Sequence, residues 1–269
     1  MQWENLTSLD FARAVESTQQ VAILPVGVIE AHSAHLPLGM DMFHAHYTAC
    51  QAAEIEPAIV FPAYPYSMNV ESSHLPGAFV LKRELAFQLL ENVCDEMYRN
   101  GITKIILHNG HGGNRYFLPL FVMTLPEKRK PYVVYYADLP NFPGASEIAE
   151  GKELGHACEV ETSVMLAINS SLVKMDQIPH PFHNLERGAA LQDAGAYTQM
   201  DWYAMYPAMY VGDAKPATAD KGEKLMAGEI TLLAKLIKIV KEDTLTPALV
   251  KEFNARADKP SVPEVWHRD

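Results

Sequence analysis

A short polar segment directly after an apolar run is the first part of the chain with the residue types for chemistry. The run Val21–Val26 has the composition of a buried strand. Glu30, His32, His35 and Asp41 follow it, in a segment where a proline and a glycine disfavour regular structure. Polar loops at the C-terminal ends of strands bind ligands in open α/β sheets. Two imidazoles and two carboxylates form a donor set that suits Zn²⁺, Mn²⁺ or Fe²⁺.

The spacing within this segment supports a shared ligand. Glu30 and His32 are two positions apart, and side chains two positions apart in an extended chain point to the same side. Both could therefore face one metal ion. The alternative is that Glu30 is a solvated loop acid and His32 an ordinary hydrogen-bonded residue. His44 and His46, on the helix expected after Asp41, are interpreted as structural.

A glycine-rich segment follows a second apolar run. The run 104–108 predicts a strand, and Asn109-Gly110-His111-Gly112-Gly113-Asn114 comes directly after it. Glycines leave backbone N–H groups accessible to a ligand. The segment lacks both the lysine of a P-loop and the spacing of a dinucleotide-binding loop, so a metal-binding His111 fits better than a phosphate cradle. The alternative is a plain glycine turn in which His111 has no role.

A third segment combines a histidine with two carboxylates. Gly155 and His156 are predicted to open a helix that continues to about Ile168. On such a helix His156 and Glu159 share a face, whereas Glu161 lies well around the axis from His156. We therefore expect one of the two glutamates to reach a site and the other to be solvated. A carboxylate buried at this helix start would need a cation as its partner.

Composition excludes several classes of function. The chain has 269 residues, a hydrophobic fraction of 48% and a formal net charge of −11, which disfavours nucleic acid as a partner. No apolar run approaches the roughly 18 residues of a membrane span, and the first residues lack a signal-peptide pattern. The three cysteines are far apart and read as reduced thiols. We expect a cytoplasmic protein with no membrane or nucleic-acid partner and a small-molecule substrate.

Alternating apolar runs and amphipathic segments predict one α/β domain, residues 1–269, with a mostly parallel sheet covered on both faces. The predicted strands are 21–26, 58–62, 104–108 and 132–137, and the predicted helices are 9–18, 41–54, 82–100, 115–124, 219–241 and 247–256. The region 169–218 has no clear periodicity, and its His180, His183 and Trp202 could reach a site in a neighbouring subunit.

The segment 63–79 is a long loop, and loops of this length are usually functional. We expect Tyr66, Asn69 and His74 on this loop to line a hydrogen-bonding pocket for a small polar substrate. The alternative is an ordinary ordered loop.

Together these segments resemble the creatininase (creatinine amidohydrolase) family. Its blocks E-x-H-G-x-H-L-P-x-x-x-D, N-G-H-G-G-N and H-A-G-x-x-E-T are similar to residues 30–41, 109–114 and 156–162. Weaker similarity to two further blocks occurs at 74–79 and 212–223, so the resemblance runs in order over roughly residues 20–225.

The resemblance implies a three-layer αβα fold, two divalent metal ions (Zn, Mn or Fe) per subunit, and hydrolysis of a cyclic or linear amide C–N bond. It also implies a closed homo-oligomer, often a hexamer. Carried over by position, Glu30 and His111 would hold one ion and His32 the other, with Asp41 bridging them. The cations would lower the pKa of a bound water to about 7 and polarise the scissile carbonyl.

The remaining site residues follow from the same blocks. Glu161 is expected as the remaining metal ligand. Glu161 and His156 are also expected as the catalytic residues, with His156 moving a proton. His35 and Asn109 would orient the ligands from outside. The backbone N–H groups near Gly112 and Gly113 would contact the substrate and its oxyanion.

Two departures from the family pattern bear on the substrate. Creatininases carry a glutamate ligand two residues after the histidine of the second block, and here that position is Gly113. They also carry tryptophans near the third block, whereas this chain has tryptophan only at positions 3, 202 and 266. Creatinine is therefore not the expected substrate. Two alternatives remain: a hydrolase that opens a keto-cyclitol or sugar-derived ring, and a non-catalytic metal-binding protein.

Overall fold

The computed structural model describes residues 1–140, 142–179, 185–260 and 262, so His180 and His183 lie outside the described residues. Four strands form its sheet: β1 (Val21–Val26), β2 (Ile59–Val60), β3 (Lys104–Asn109) and β4 (Val133–Ala137). Their order is β2-β1-β3-β4, and every pairing is parallel.

Ten α-helices lie in the described part of the chain. They are α1 (Ser8–Ser17), α2 (Met40–Ile55), α3 (Arg83–Arg99), α4 (Asn114–Thr124), α5 (Ala145–Ile148), α6 (Glu159–Asn169), α7 (Ala189–Asp193), α8 (Asp201–Met205), α9 (Ala219–Glu242) and α10 (Leu245–Asp258). Among the described residues, no helix is both long enough and apolar enough to cross a membrane.

The helices cover both faces of the sheet. Ala22 and Leu24 of β1 pack into a core cluster with α1, α3 and α4, while Val21 and Ile23 pack on the other face against α2 and α9. All six residues of β1 are buried, as expected of a strand covered on both sides. The three-layer αβα fold with a mostly parallel sheet is thereby confirmed.

The strand order creates a switch point between β1 and β3. The chain leaves β1 through α2 on one face to reach β2, and it leaves β3 through α4 on the other face to reach β4. The two loops therefore diverge, and the crevice between them is where ligands bind in open α/β folds. The first two polar segments of the sequence lie on these two loops.

The predicted helix start at Gly155 is wrong. Helix α6 begins at Glu159, because Ala157 has a φ of +56° and Cys158 is extended. Backbone hydrogen bonds from Val211 to His156 and from Glu159 to Asp213 fix this entry instead. His156 therefore precedes the helix and shares no helical face with Glu159. The predicted strand 58–62 is also reduced to the two residues of β2.

A buried ionic network ties α9 to the two elements that flank the crevice. Oε2 of Glu229 lies 2.8 Å from Nε2 of His44 on α2, and Oε1 lies 3.3 Å from Nε2 of His108 on β3. Thr48 donates a hydrogen bond to the backbone of His44 and lies 2.8 Å from His108. The four residues are buried. His44 thus has the structural role that the sequence suggested.

The charges of this pair depend on each other. Burial alone would raise the pKa of Glu229, but His44 beside it holds that pKa well below its usual range. Burial alone would lower the pKa of His44, but Glu229 raises it. Glu229 therefore adds stability above the unfolded carboxyl pKa of about 4.3, and His44 adds it below the unfolded imidazole pKa of about 6.5.

We predict that Glu229→Gln lowers the free energy of unfolding by roughly 3 kcal/mol between about pH 4.5 and 6.5, because it removes one partner of a buried ion pair. The deficit should shrink as the pH falls below this window and Glu229 is protonated, and again as the pH rises through the pKa of His44. Urea unfolding across the pH range measures this. Glu223→Gln, an exposed change on the same helix, is the matched control. A deficit that does not vary with pH would contradict the prediction.

Candidate metal centre

Two glycines allow the first turn of α2 to press against the ends of β1 and β3. A Cβ atom on Gly27 would lie 2.6 Å from the backbone N of Met42, and one on Gly110 would lie 2.5 Å from the backbone O of Asp41. Any side chain at either position would push the helix away. This close approach places Asp41 in the crevice between the two strand ends.

Asp41 contacts one imidazole from each loop. Its Oδ1 lies 3.0 Å from Nε2 of His32, and its Oδ2 lies 2.9 Å from Nδ1 of His111. All three residues are buried. Burial alone would lower the pKa of His32, but Asp41 raises it to about 9. Both imidazoles in turn hold the pKa of Asp41 well below its usual range, against the effect of burial.

Glu30 is at the centre of the cluster. Its Oε1 lies 3.1 Å from Nδ1 of His111 and 3.9 Å from Nε2 of both His32 and His156. The residue is 1% exposed, and its Oε2 has no hydrogen-bond partner among the residues that the structure describes. A buried carboxylate oxygen without a partner is costly, and a bound cation would satisfy it.

Among the described residues, two sets of three could each hold a metal ion, and Glu30 belongs to both. One set is Glu30, His32 and His156, and the other is Glu30, Glu71 and His111. Within each set the ligand atoms lie within 4.8 Å of one another. Ligands about 2.0–2.2 Å from a shared Zn²⁺ would be at most about 4.4 Å apart, so only small movements are needed. The donor set therefore fits divalent cations.

The third segment contributes His156 and Glu161. The two rings of His32 and His156 have their centroids 4.2 Å apart. Oε2 of Glu161 lies 3.9 Å from Nε2 of His32 and accepts a hydrogen bond from the backbone N–H of Ala157. The side chains of His156 and Glu161 are 11% and 16% exposed, so both lie nearer to solvent than Glu30 or His32.

Glu159 is directed away from the cluster. Its carboxylate accepts hydrogen bonds from the backbone N–H groups of Glu150 and Gly151 and pairs with Lys221 at 2.5 Å. Glu161 is thus the glutamate that reaches the site. The expectation that the other one is solvated is wrong, because Glu159 is 1% exposed and has this ion pair as compensation.

His35 and Asn109, predicted as orienting residues, are adjacent to the cluster. His35 is buried, with its Nε2 2.9 Å from Oγ1 of Thr162, which links the β1 loop to the start of α6. Burial lowers the pKa of His35 to about 4, so the ring is neutral near pH 7. The side chain of Asn109 accepts a hydrogen bond from the backbone N–H of His111. Their orienting roles stay predictions.

The predicted substrate contacts are more dispersed. Asn69 is buried and donates hydrogen bonds to the backbone O of Ile29 and to Ser72, so it holds the long loop in place. Tyr66 is 41% exposed and packs edge-on against its neighbours, and His74 is exposed with its Nε2 bonded to the backbone O of Pro207. Gly112 and Gly113 are exposed beside the cluster.

Sequence reasoning missed Glu71 and did not assign Trp202 to the site of its own chain. Glu71 lies on the long loop, 3.3 Å from Nε2 of His111, and no motif or periodicity marked it. Trp202 on α8 has its ring perpendicular to that of His156, with centroids 5.7 Å apart. The sequence suggested Trp202 for the site of a neighbouring subunit, whereas it contacts His156 of its own chain.

The sequence of this chain is similar to one protein family and to several characterised proteins. A family model described as Creatininase: Creatinine amidohydrolase matches residues 4–237. The creatinine amidohydrolase of Pseudomonas putida is 25% identical over 245 residues, covering 82% of this chain and 90% of that protein. The 3-dehydro-scyllo-inosose hydrolase of Thermotoga maritima is 27% identical over 253 residues, covering 82% of this chain and 77% of that protein. The mycofactocin precursor peptide peptidase of Mycolicibacterium smegmatis is 25% identical over 237 residues, covering 84% of this chain and 88% of that protein.

Solved structures agree on the fold. A crystal structure of creatininase superposes with a TM-score of 0.72 at 23% identity, covering 90% of this chain and 98% of that one. A manganese form of creatininase gives a TM-score of 0.70 at 23% identity, with 88% and 97% covered. The family model spans most of the chain and includes all three polar segments, and this chain therefore belongs to the creatininase family.

Proposed function

We propose that this chain is a metal-dependent hydrolase that cleaves a cyclic or linear amide C–N bond in a small polar molecule, using two divalent cations of zinc, manganese or iron. The observation that carries the proposal is the pair of three-residue sets that share the buried Glu30, with Asp41 between His32 and His111. Membership of a family named for an amidohydrolase supports it, as do creatininase structures described as manganese and zinc forms.

The chain's own residues would hold both cations. Glu30 and His111 would hold one cation and His32 the other, and Asp41, which contacts both imidazoles, would serve both. When bound, the cations supply Lewis acidity and lower the pKa of a water molecule. A protonated imidazole must lose one proton before its ring nitrogen can bind a cation, so metal binding releases protons to solvent.

His156 would transfer a proton at the solvent-facing side of the site. Its Nε2 lies 2.9 Å from the backbone O of Ala31 and donates to it, which leaves Nδ1 as the basic atom. That Nδ1 lies 4.0 Å from Oε2 of Glu161, on the more exposed side of the cluster. A proton held there could pass to the leaving nitrogen of an amide, since general acids act within hydrogen-bond reach of the group they protonate.

A second candidate function keeps the metals and changes the bond. The Thermotoga maritima relative is named as a hydrolase of an inosose, a cyclic polyol ketone rather than an amide. It is slightly more identical to this chain than the creatinine amidohydrolase is. Ring opening of a keto-cyclitol or sugar-derived ring is therefore the alternative reaction.

The deciding experiment combines metal analysis with a substrate panel. Protein purified without chelator is expected to contain close to two divalent ions per chain. Chelation should abolish turnover, and Mn²⁺, Zn²⁺ or Fe²⁺ should restore it. The panel contains lactams, cyclic ureides and short linear amides beside keto-cyclitols, with creatinine as a comparison that we expect to react poorly. Turnover of keto-cyclitols alone would favour the alternative, and protein that binds no divalent ion would end the proposal.

We predict that Asp41→Asn lowers metal affinity by more than roughly 100-fold, because it removes the carboxylate between both imidazoles and outer-shell changes alone cost about 10–100-fold. Competition with a fluorescent chelator measures the affinity. Asp220→Asn is the matched control, since Asp220 is also in a first helical turn but is exposed. Two ions bound at wild-type affinity in Asp41→Asn would contradict the bridging assignment.

We predict that His156→Gln lowers kcat by about 10²–10⁴-fold, the usual contribution of a general acid or base. The glutamine amide can keep the hydrogen bond to Ala31 but cannot carry the proton. Metal content measured alongside kcat separates the roles. Retained metal with lost turnover supports proton transfer, whereas loss of one ion would make His156 a ligand.

A further inference from the structure

Glu71 occupies the space that the missing side chain at position 113 would need. A Cβ atom on Gly113 would lie 2.9 Å from Oε1 of Glu71 and 2.5 Å from Nε2 of His111. The Glu71 carboxylate reaches this place from the loop between β2 and α3.

Two buried atoms of the cluster have no hydrogen-bond partner among the described residues, and both belong to residues grouped with Glu71. They are Oε2 of Glu30 and Nε2 of His111, in side chains that are 1% and 5% exposed. Oε1 of Glu71 lies 3.3 Å from that Nε2. The unpartnered Oε2 of Glu30 is the observation that points to a cation beside these three residues.

We propose that Glu71 is a metal ligand of this chain, which completes a cation site with Glu30 and His111. The proposal rests on the metal-dependent function proposed above. Their ligand atoms lie within 4.8 Å of one another, and two carboxylates with one imidazole are a donor set that suits Mn²⁺ and Zn²⁺. Gly113 is then required, because a side chain at this position would displace the His111 ring and the Glu71 carboxylate.

The loop that carries Glu71 is held rigidly beside the β1 loop. Ser67 donates a hydrogen bond to the backbone O of Gly27, and Asn69 donates one to the backbone O of Ile29. Asn69 and Ser72 also bond to each other around the single 3-10 turn Val70–Ser72, which contains Glu71. A ligand positioned by buried hydrogen bonds loses little conformational entropy when the ion binds.

Gly112 and Gly113 provide a matched pair of variants, because a side chain is tolerated at the first position and not at the second. Gly113→Ala should displace both the His111 ring and the Glu71 carboxylate, whereas a Cβ atom on Gly112 would meet nothing within 4 Å. Glu71→Gln removes the charge with almost no change of shape. Glu127→Gln, a change of an exposed carboxylate far along the chain, controls for loss of one negative charge.

The test is titration of each metal-free variant with Mn²⁺ alone, following free Mn²⁺ by electron paramagnetic resonance. We expect wild type, Gly112→Ala and Glu127→Gln to bind two ions. Glu71→Gln and Gly113→Ala should bind one ion with near wild-type affinity and the second more than roughly 100-fold more weakly. Circular dichroism of the metal-free proteins checks that each variant is folded.

The outcomes separate this proposal from the one on which it rests. If both the wild type and Glu71→Gln bind two ions with equal affinity, Glu71 is not a ligand. The proposed function would still stand. A loss in affinity below about tenfold, with two ions still bound, would reduce Glu71 to a neighbour that orients His111 and would also overturn the assignment. Wild type that binds no Mn²⁺, Zn²⁺ or Fe²⁺ would remove the proposed function itself.

Discussion

The burial of two carboxylates in one crevice is the constraint on which the site depends. Glu30 and Asp41 are 1% and 3% exposed, and an ionised carboxylate is stable in such a place only with compensating charge. Imidazoles on both sides of Asp41 supply part of it when they are protonated. Divalent cations would supply it without protons, which leaves the imidazoles neutral and able to bind. The positive charge that stabilises the folded site is therefore the same charge that the proposed reaction needs.

The sheet satisfies this demand by bringing one helix start very close to two strand ends. Without Cβ atoms at Gly27 and Gly110, the first turn of α2 can lie against both β1 and β3. The switch in strand order then opens a crevice at the same place, so that loops leaving in opposite directions both contribute ligands. The network of Glu229 with His44 and His108 ties α9 to α2 and β3, about one helical turn away from Asp41.

Local patterns predicted the parts of this arrangement that are local. The apolar runs predicted β1 and β3, and the polar segments after them, read with the family resemblance, predicted that Glu30, His32, Asp41 and His111 would meet. The start of α6 was mistaken because the left-handed conformation of Ala157 has no residue-type signature. Glu71 and Glu229 were not identified, since their partners are about forty and more than a hundred residues away along the chain. Only the tertiary fold brings those charges together.

The contact of Glu229 with His44 spans 185 residues of sequence, and this has a consequence for how the chain folds. Contacts between distant segments form slowly, because the loop entropy must be lost before the contact is gained. A folding intermediate that lacks a docked α9 would leave His44 and His108 without the Glu229 carboxylate and would expose the apolar residues of β1, β3 and α2 that α9 covers. Such an intermediate would be poorly stable, so the docking of α9 and the completion of the sheet should occur as one cooperative event.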